Sequence, residues 1–319
     1  MTKIEQTAII GAGVIGSSWA ALFLAAGHHV DVYEPAPDGE QKVREFIEAA
    51  WPTLERLEMT QKGDPGKITF HHSAKAAVAE AQFIQECVPE QIKIKHNLFA
   101  EIEPHLSPTA IVASSASGLM VSEMQLGWQD PSRFLLGHPF NPPHLIPLVE
   151  LVGNEKTGDG VLEAAEDFYQ QAGKVTIRIQ QEVPGHVANR LQAALWREAI
   201  SLVQNGVASV EDVDKAVWAG PGLRWAAMGP HMLFNLAAGP GCLQEFCNRY
   251  SDSFHRWWDD LGDVEITSDV AQQLATGVQA EAHGADVSSM ATVRDELIIN
   301  MLKGTLPLRQ NQPEGKQEV

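Results

Sequence analysis

The segment Ala8-Ile9-Ile10-Gly11-Ala12-Gly13-Val14-Ile15-Gly16 constrains this chain more than any other. An apolar run that crosses spaced glycines into an apolar stretch closed by Gly27 describes a strand, a tight turn and a helix in register. Gly11 permits the turn, Gly13 lets the backbone approach a pyrophosphate, and Gly16 lets the helix pack closely on the strand. The helix N-terminus at Val14 and Ile15 offers an anion N–H groups that have no intrahelical partner. A second β-branched run, Val30 to Glu34, ends in a carboxylate suited to accept hydrogen bonds from the adenosine ribose hydroxyls. The residues after it, Pro35 to Glu40, hold no arginine for a ribose phosphate, and Asp38 and Glu40 would repel one. The expected cofactor is therefore NAD rather than NADP.

The same alternation continues. Apolar or β-branched runs begin at Thr7, Val30, Lys67, Phe83, Ala110, Phe134, Leu148 and Lys174, separated by helical stretches. That rhythm predicts an α/β fold, a Rossmann-type doubly wound and mostly parallel sheet. After Pro184 the texture becomes helical, with patterns at His186 to Asn205, Val210 to Trp218, Val270 to His283 and Met290 to Lys303. A charge, a proline and a glycine between Glu182 and Gly185 mark the change. The expectation is an NAD-binding domain over 1–183 and an all-α substrate and dimerisation domain over 184–319. The polar, aperiodic tail from Gln310 to Val319 is expected to fray.

Composition removes several functions. The 319 residues carry 23 Lys and Arg against 41 Asp and Glu, a net charge of −18, which repels phosphate backbones and anionic lipid headgroups. No membrane or nucleic-acid partner is expected. No apolar run reaches the length of a membrane span, and the apolar N-terminal segment is broken by glycines rather than ending in a cleavage pattern, so a cytoplasmic protein is expected. Cys87, Cys242 and Cys247 lack metal-site or CxxC spacing and cannot all pair, so neither a disulfide framework nor a metal site is expected.

A second cluster carries chemistry. Gly137-His138-Pro139-Phe140-Asn141-Pro142-Pro143 is followed by Glu150, and Ser114-Ser115-Ala116-Ser117 lies upstream. A strand running into a proline-rich turn places His138 at the carboxyl edge of the sheet, where open α/β folds bind ligands. Histidine titrates nearest neutrality, and oxidising an alcohol requires removing its proton as hydride leaves. A carboxylate on the other ring nitrogen would fix the tautomer, a role open to Glu150.

With these residues in view, the chain resembles the L-3-hydroxyacyl-CoA dehydrogenase superfamily over nearly its whole length. The likeness rests on Ser114 to Ser117, on His138 and Asn141 as HxxN, on Glu150 twelve residues after the histidine, and on Gly185-His186-Val187-Ala188-Asn189-Arg190. Val88-Pro89-Glu90 with Lys95 adds to it, and implies Glu90 and Lys95 beside the nicotinamide half of the cofactor. The resemblance further implies His138 as general base and Glu150 as its orienting partner. Ser114 and Asn189 become hydrogen-bond partners of the substrate, Asn141 a positioning group, and the C-terminal domain a homodimer surface. Ser115-Ala116 departs from the family's Asn-Thr at that loop, and His144 and His186 match no family role and read as packing residues.

The substrate expected from the resemblance is a small hydroxy acid. The segment from Glu40 to Lys67 is short and has few clustered cations, and the net charge disfavours a ligand with several phosphates, so an acyl-CoA is not expected. The subfamilies that act on L-carnitine and on L-gulonate, the latter including lambda-crystallin, share a pattern like Gly220 to Pro230. Trp225 and Phe234-Asn235-Leu236-Ala237-Ala238-Gly239 lie closer to the carnitine group. Five of the eight tryptophans follow residue 184, and aromatic faces attract quaternary ammonium. Trp225 and Phe234 are the candidate cation site, Ser117 a further substrate contact, and Arg224 and Arg190 both candidates for the substrate carboxylate. The expectation is NAD-dependent oxidation of L-carnitine, with L-gulonate as the alternative substrate.

Overall fold

A computed structural model describes residues 4–239 and 242–310. The described residues form two compact units, one of residues 4–190 with Ile298–Lys303, the other of Leu191–Leu297 with residues 304–310. The first contains an eight-stranded sheet. Its elements are β1 (Gln6–Ile10), α1 (Val14–Ala25), β2 (His29–Tyr33), α2 (Gly39–Arg56), β3 (Ile68–Phe70), α3 (Ala74–Val78), β4 (Phe83–Glu86) and α4 (Ile92–Ile102). After these come β5 (Ile111–Ser114), α5 (Val121–Met124), β6 (Phe134–Pro139), β7 (Leu148–Val152), α6 (Val161–Gln171) and β8 (Val175–Ile179).

The strand order is β3-β2-β1-β4-β5-β6-β7-β8. Every neighbouring pair is parallel except β6 and β7. The order reverses at β1, so the crevice above the carboxyl ends of β1 and β4 is where such a sheet takes a ligand. The expected doubly wound, mostly parallel sheet is the fold observed. Because helices cover both faces, the central strands are mostly apolar rather than alternating. Ile9, Phe83, Ala113 and Leu135 turn to one core with Trp19, Phe23 and Phe168, while Ala8, Ile10, Ile84, Val112 and Leu136 turn to another with Phe99 and Trp128.

The antiparallel step has a local cause. Only a short link joins β6 to β7, too short for the crossover that a parallel pair needs. The chain turns back at Phe140 to Pro147 and sets His138 directly opposite Glu150. Lys174 fixes that turn: its ammonium, buried against the Trp19 ring, donates to the carbonyls of Pro143 (2.6 Å) and Ile146 (2.5 Å). The Ser18 hydroxyl on α1 accepts the His144 N–H and meets His144 Nδ1, each at 2.8 Å.

The second unit is helical: most of α7 (Ala188–Gln204), then α8 (Val210–Ala219), α9 (Pro221–Ala227), α10 (Pro230–Ala237), α11 (Cys242–Asp260), α12 (Ser268–Glu281) and α13 (Val287–Gln310) apart from its Ile298–Lys303 segment. Apolar periodicity leaves α9 and α10 unseen because each opens on a Gly-Pro pair, with the proline at a position that costs no hydrogen bond. Phe234 on α10 packs in an aromatic cluster with Phe246 (ring centroids 4.8 Å) and Phe254 (5.6 Å) of α11. Of the tail expected to fray, Gln310 closes α13 and 311–319 lie outside the described residues. Among the described residues, no helix is long and apolar enough to cross a membrane.

Candidate active site

The turn after β1 is shaped for close backbone approach. Gly11 is left-handed (φ 85°), and a Cβ there would lie 2.9 Å from the Cys87 carbonyl carbon; at Gly16 it would lie 2.1 Å from the Gly11 oxygen. Gly13 differs, because a Cβ there meets nothing within 4 Å, and Val14 beside it is 64% exposed. An open turn followed by the first N–H groups of a helix is an arrangement that suits an anion. Glu34, just past the end of β2, accepts the Ala12 N–H (2.7 Å) and the Ala36 N–H (3.0 Å), so the expected ribose acid also braces the glycine turn.

The carboxyl ends of β4 and β5 meet in a buried polar knot. Glu86 accepts from Lys95 Nζ at both carboxylate oxygens (2.7 and 2.8 Å), from the Val88 N–H (2.8 Å) and from the Ser114 hydroxyl (2.5 Å). Lys95 also reaches the Val88 carbonyl (3.2 Å), and the ion pair is almost fully buried. Lys95 therefore faces a protein carboxylate that sequence reasoning passed over, although an acid closing an apolar strand was a visible signal. Glu90 accepts from the Ser117 hydroxyl (2.6 Å) and from the N–H groups of Gly118 and Leu119, tying the loop after β5 to the loop after β4. Burial raises the Glu90 carboxyl, but the Ser117 hydroxyl and these backbone donors outweigh it and hold the group below the usual range.

Ser115, the departure from Asn at this loop, is used inward. Its hydroxyl accepts from Trp19 Nε1 (3.2 Å) and Gln85 Nε2 (2.8 Å) and meets Cys87 Sγ at 3.2 Å. Burial pushes the Cys87 thiol up to about 12, so it stays protonated and unreactive at neutral pH.

The third feature is the β6–β7 pair. His138 Nδ1 lies 2.7 Å from Glu150 Oε2, with His138 nearly buried and Glu150 fully so. An ionised carboxylate can only accept, so Nδ1 carries the proton and Nε2 is left as a lone pair. The other carboxylate oxygen accepts the N–H groups of Val187 and Ala188, each at 2.9 Å, from the turn that starts α7. Burial raises the Glu150 carboxyl, but the His138 bond and these two N–H groups prevail, and it sits below the usual range as an anion. His186 comes with the same turn and packs on His138, ring centroids 5.2 Å apart. Asn141 is exposed, and Asn189 lies half-buried in the first turn of α7.

Against this geometry, the family model of the 3-hydroxyacyl-CoA dehydrogenase NAD-binding domain matches residues 6–183, and that of the C-terminal domain matches 185–276. The chain belongs to the 3-hydroxyacyl-CoA dehydrogenase family. Among its relatives, L-carnitine dehydrogenase of Streptomyces coelicolor is 41% identical over 303 residues, covering 95% of each chain. The L-carnitine dehydrogenase of Bacillus cereus is 38% identical, covering 94% of this chain and 92% of that one. Among solved structures, 5-formyl-3-hydroxy-2-methylpyridine 4-carboxylic acid 5-dehydrogenase, an NAD+ dependent dismutase, superposes with a TM-score of 0.81 at 28% identity, covering 95% and 99% of the chains.

This family member is thus an NAD-dependent oxidoreductase, and its residues fit the cofactor. The Gly13 side of the turn is open, the N-terminus of α1 suits an anion, and Glu34 rather than a cation follows β2. No group of His, Cys, Asp or Glu among the described residues is arranged to hold a metal ion. Trp225, 42% exposed, and Phe234 lie in the helical unit, as does Arg224, while Arg190 donates to the Pro184 carbonyl at 3.4 Å in the first unit.

Proposed function

We propose that this dehydrogenase oxidises the 3-hydroxyl of L-carnitine to 3-dehydrocarnitine and works as a homodimer. The observation that carries the reading is the His138–Glu150 pair, in a chain matched almost end to end by L-carnitine dehydrogenases at 36% to 41% identity. His138 Nε2 takes the hydroxyl proton, and the Glu150 anion on Nδ1 stabilises the imidazolium that forms, an effect of about 10² to 10⁴ in rate. Bound NAD supplies the hydride acceptor. Glu34 orients its ribose, the turn from Gly11 to Gly16 with Val14 and Ile15 holds its pyrophosphate, and Glu90 and Lys95 line its nicotinamide side, Lys95 acting through Glu86.

Ser114, held by its bond to Glu86, Asn189 and Ser117 supply the polar contacts to the substrate, and Asn141 positions the turn. Trp225 and Phe234 offer aromatic faces to the trimethylammonium group, worth about 0.5 to 2 kcal/mol per contact. Exposed Trp196, Trp218, Leu223 and Trp257 in the helical unit support the dimer, since apolar area of this kind is ordinarily covered by a second copy.

The test is NADH production by the purified protein with L-carnitine, L-gulonate and L-3-hydroxybutyryl-CoA, with D-carnitine as control. Turnover confined to L-carnitine, with KM raised in Trp225→Ala, is the expected result. Turnover on L-gulonate alone would replace the substrate while leaving the roles of His138 and Glu150 in place.

A further inference from the structure

His186 read as a packing residue in the sequence, and it does pack, its ring on that of His138, yet it carries a polar atom that this packing leaves unused. Its side chain is 3% exposed, and its Nε2 is buried with no hydrogen-bond partner. An orphaned buried nitrogen costs stability, so a purely structural site favours an apolar side chain there. The backbone is also committed to this placement. Gly185 (φ 75°) and His186 (φ 53°) are both left-handed, an unfavourable conformation for a residue with a Cβ, and the His186 N–H closes the turn on the Val183 carbonyl (3.1 Å). The next two N–H groups are those that bind Glu150. One turn therefore sets the Glu150 carboxylate and lays the His186 ring on the His138 ring, centroids 5.2 Å apart and tilted by 52°.

The charged and titratable groups facing His186 are His138, Glu150 and Glu90, with the Ala116 backbone alongside. Burial first, and the charge of His138 second, hold the His186 imidazole below its ordinary range, against the opposing pull of Glu150, the Ala116 backbone and Glu90.

Resting on the reading of His138 as the base, we propose that His186 is a positioning residue for the acid–base step. Its neutral ring braces His138 and keeps a second positive charge out of the site, so that oxidation stops when either imidazole is protonated. Two interacting imidazoles titrate as a pair. The acid limb of log kcat/KM for L-carnitine should therefore fall with one proton, with a midpoint set by the pair in the wild type and displaced in His186→Gln. His186→Asn, which tolerates the left-handed backbone, serves as the second variant, with NAD binding as the check on folding. Equal limbs in wild type and both variants would overturn the proposal.

A readout that needs no turnover separates this from a wrong substrate. Titration of the histidine ring signals by NMR in the NAD complex should show His138 and His186 in coupled steps, with the His138 midpoint moved in His186→Gln. An unmoved midpoint disproves the coupling even if L-carnitine is not the substrate, and a moved one supports it whatever the substrate is.

Discussion

Glu150 divides its two oxygens between two tasks, orienting His138 with one and holding the start of α7 with the other. Glu150→Gln keeps the shape and the acceptor toward the two N–H groups, but presents an amide N–H to Nδ1 and so favours the wrong tautomer. The expected result is a fall in kcat of about 10² to 10⁴ with the Kd for NAD unchanged, measured by steady-state kinetics and cofactor titration. At this scale the sequence reached far. The interval between His138 and Glu150 suggested a partnership, and the structure brings the two side chains together. Glu86 and His186 escaped, because a buried acid and a buried histidine look like any others until the strands that flank them are known.

At the scale of elements, the turn from β1 to α1 separates two kinds of glycine. Gly16→Ala would drive a Cβ to 2.1 Å from the Gly11 carbonyl oxygen, which is backbone and has little room to yield. A loss of several kcal/mol in unfolding free energy is expected by urea denaturation, about 3 kcal/mol by analogy with other overpacked cores. Gly13→Ala meets open space, so its stability should match wild type while the Kd for NAD rises, since the added methyl stands where the pyrophosphate approaches. A Gly13→Ala variant with unchanged NAD affinity would remove the turn from the cofactor site. Strands were legible because each is a short apolar run between breakers; the helices after Gly220 and Gly229 were not, since a proline at the first helical position looks like an interruption.

For the molecule as a whole, Lys174 links stability to pH. Burial without a carboxylate partner brings its ammonium down to about 7, against an ordinary 10.5. Below the folded value both native and unfolded chains hold the proton, and above the ordinary value neither does. Between them the unfolded chain holds a proton the native state lacks, so stability rises with pH. The slope reaches at most about 1.4 kcal/mol per pH unit. Denaturation at pH 7 and pH 9.5 should show wild type gaining stability relative to Lys174→Met, and parallel curves would mean that the ammonium is not desolvated. The same residue ties the catalytic turn to the sheet through the Pro143 and Ile146 carbonyls, so the variant should also lower kcat.

Local chemistry is written in order along the chain. Three glycines in register, an acid at the end of β2, and the change to helical periods after Pro184 determined the class of fold and its cofactor, because turn geometry and periodicity depend on residues a few positions apart. What depends on residues far apart was decided only in three dimensions. Lys95 turned to Glu86, Ser115 turned inward to Trp19 and Gln85, Lys174 clamped a turn from just before β8, and His186 met His138 across some fifty residues of chain. Each of these pairings is set by strand order and by the antiparallel return of β7, and a sequence records neither until the chain has closed on itself.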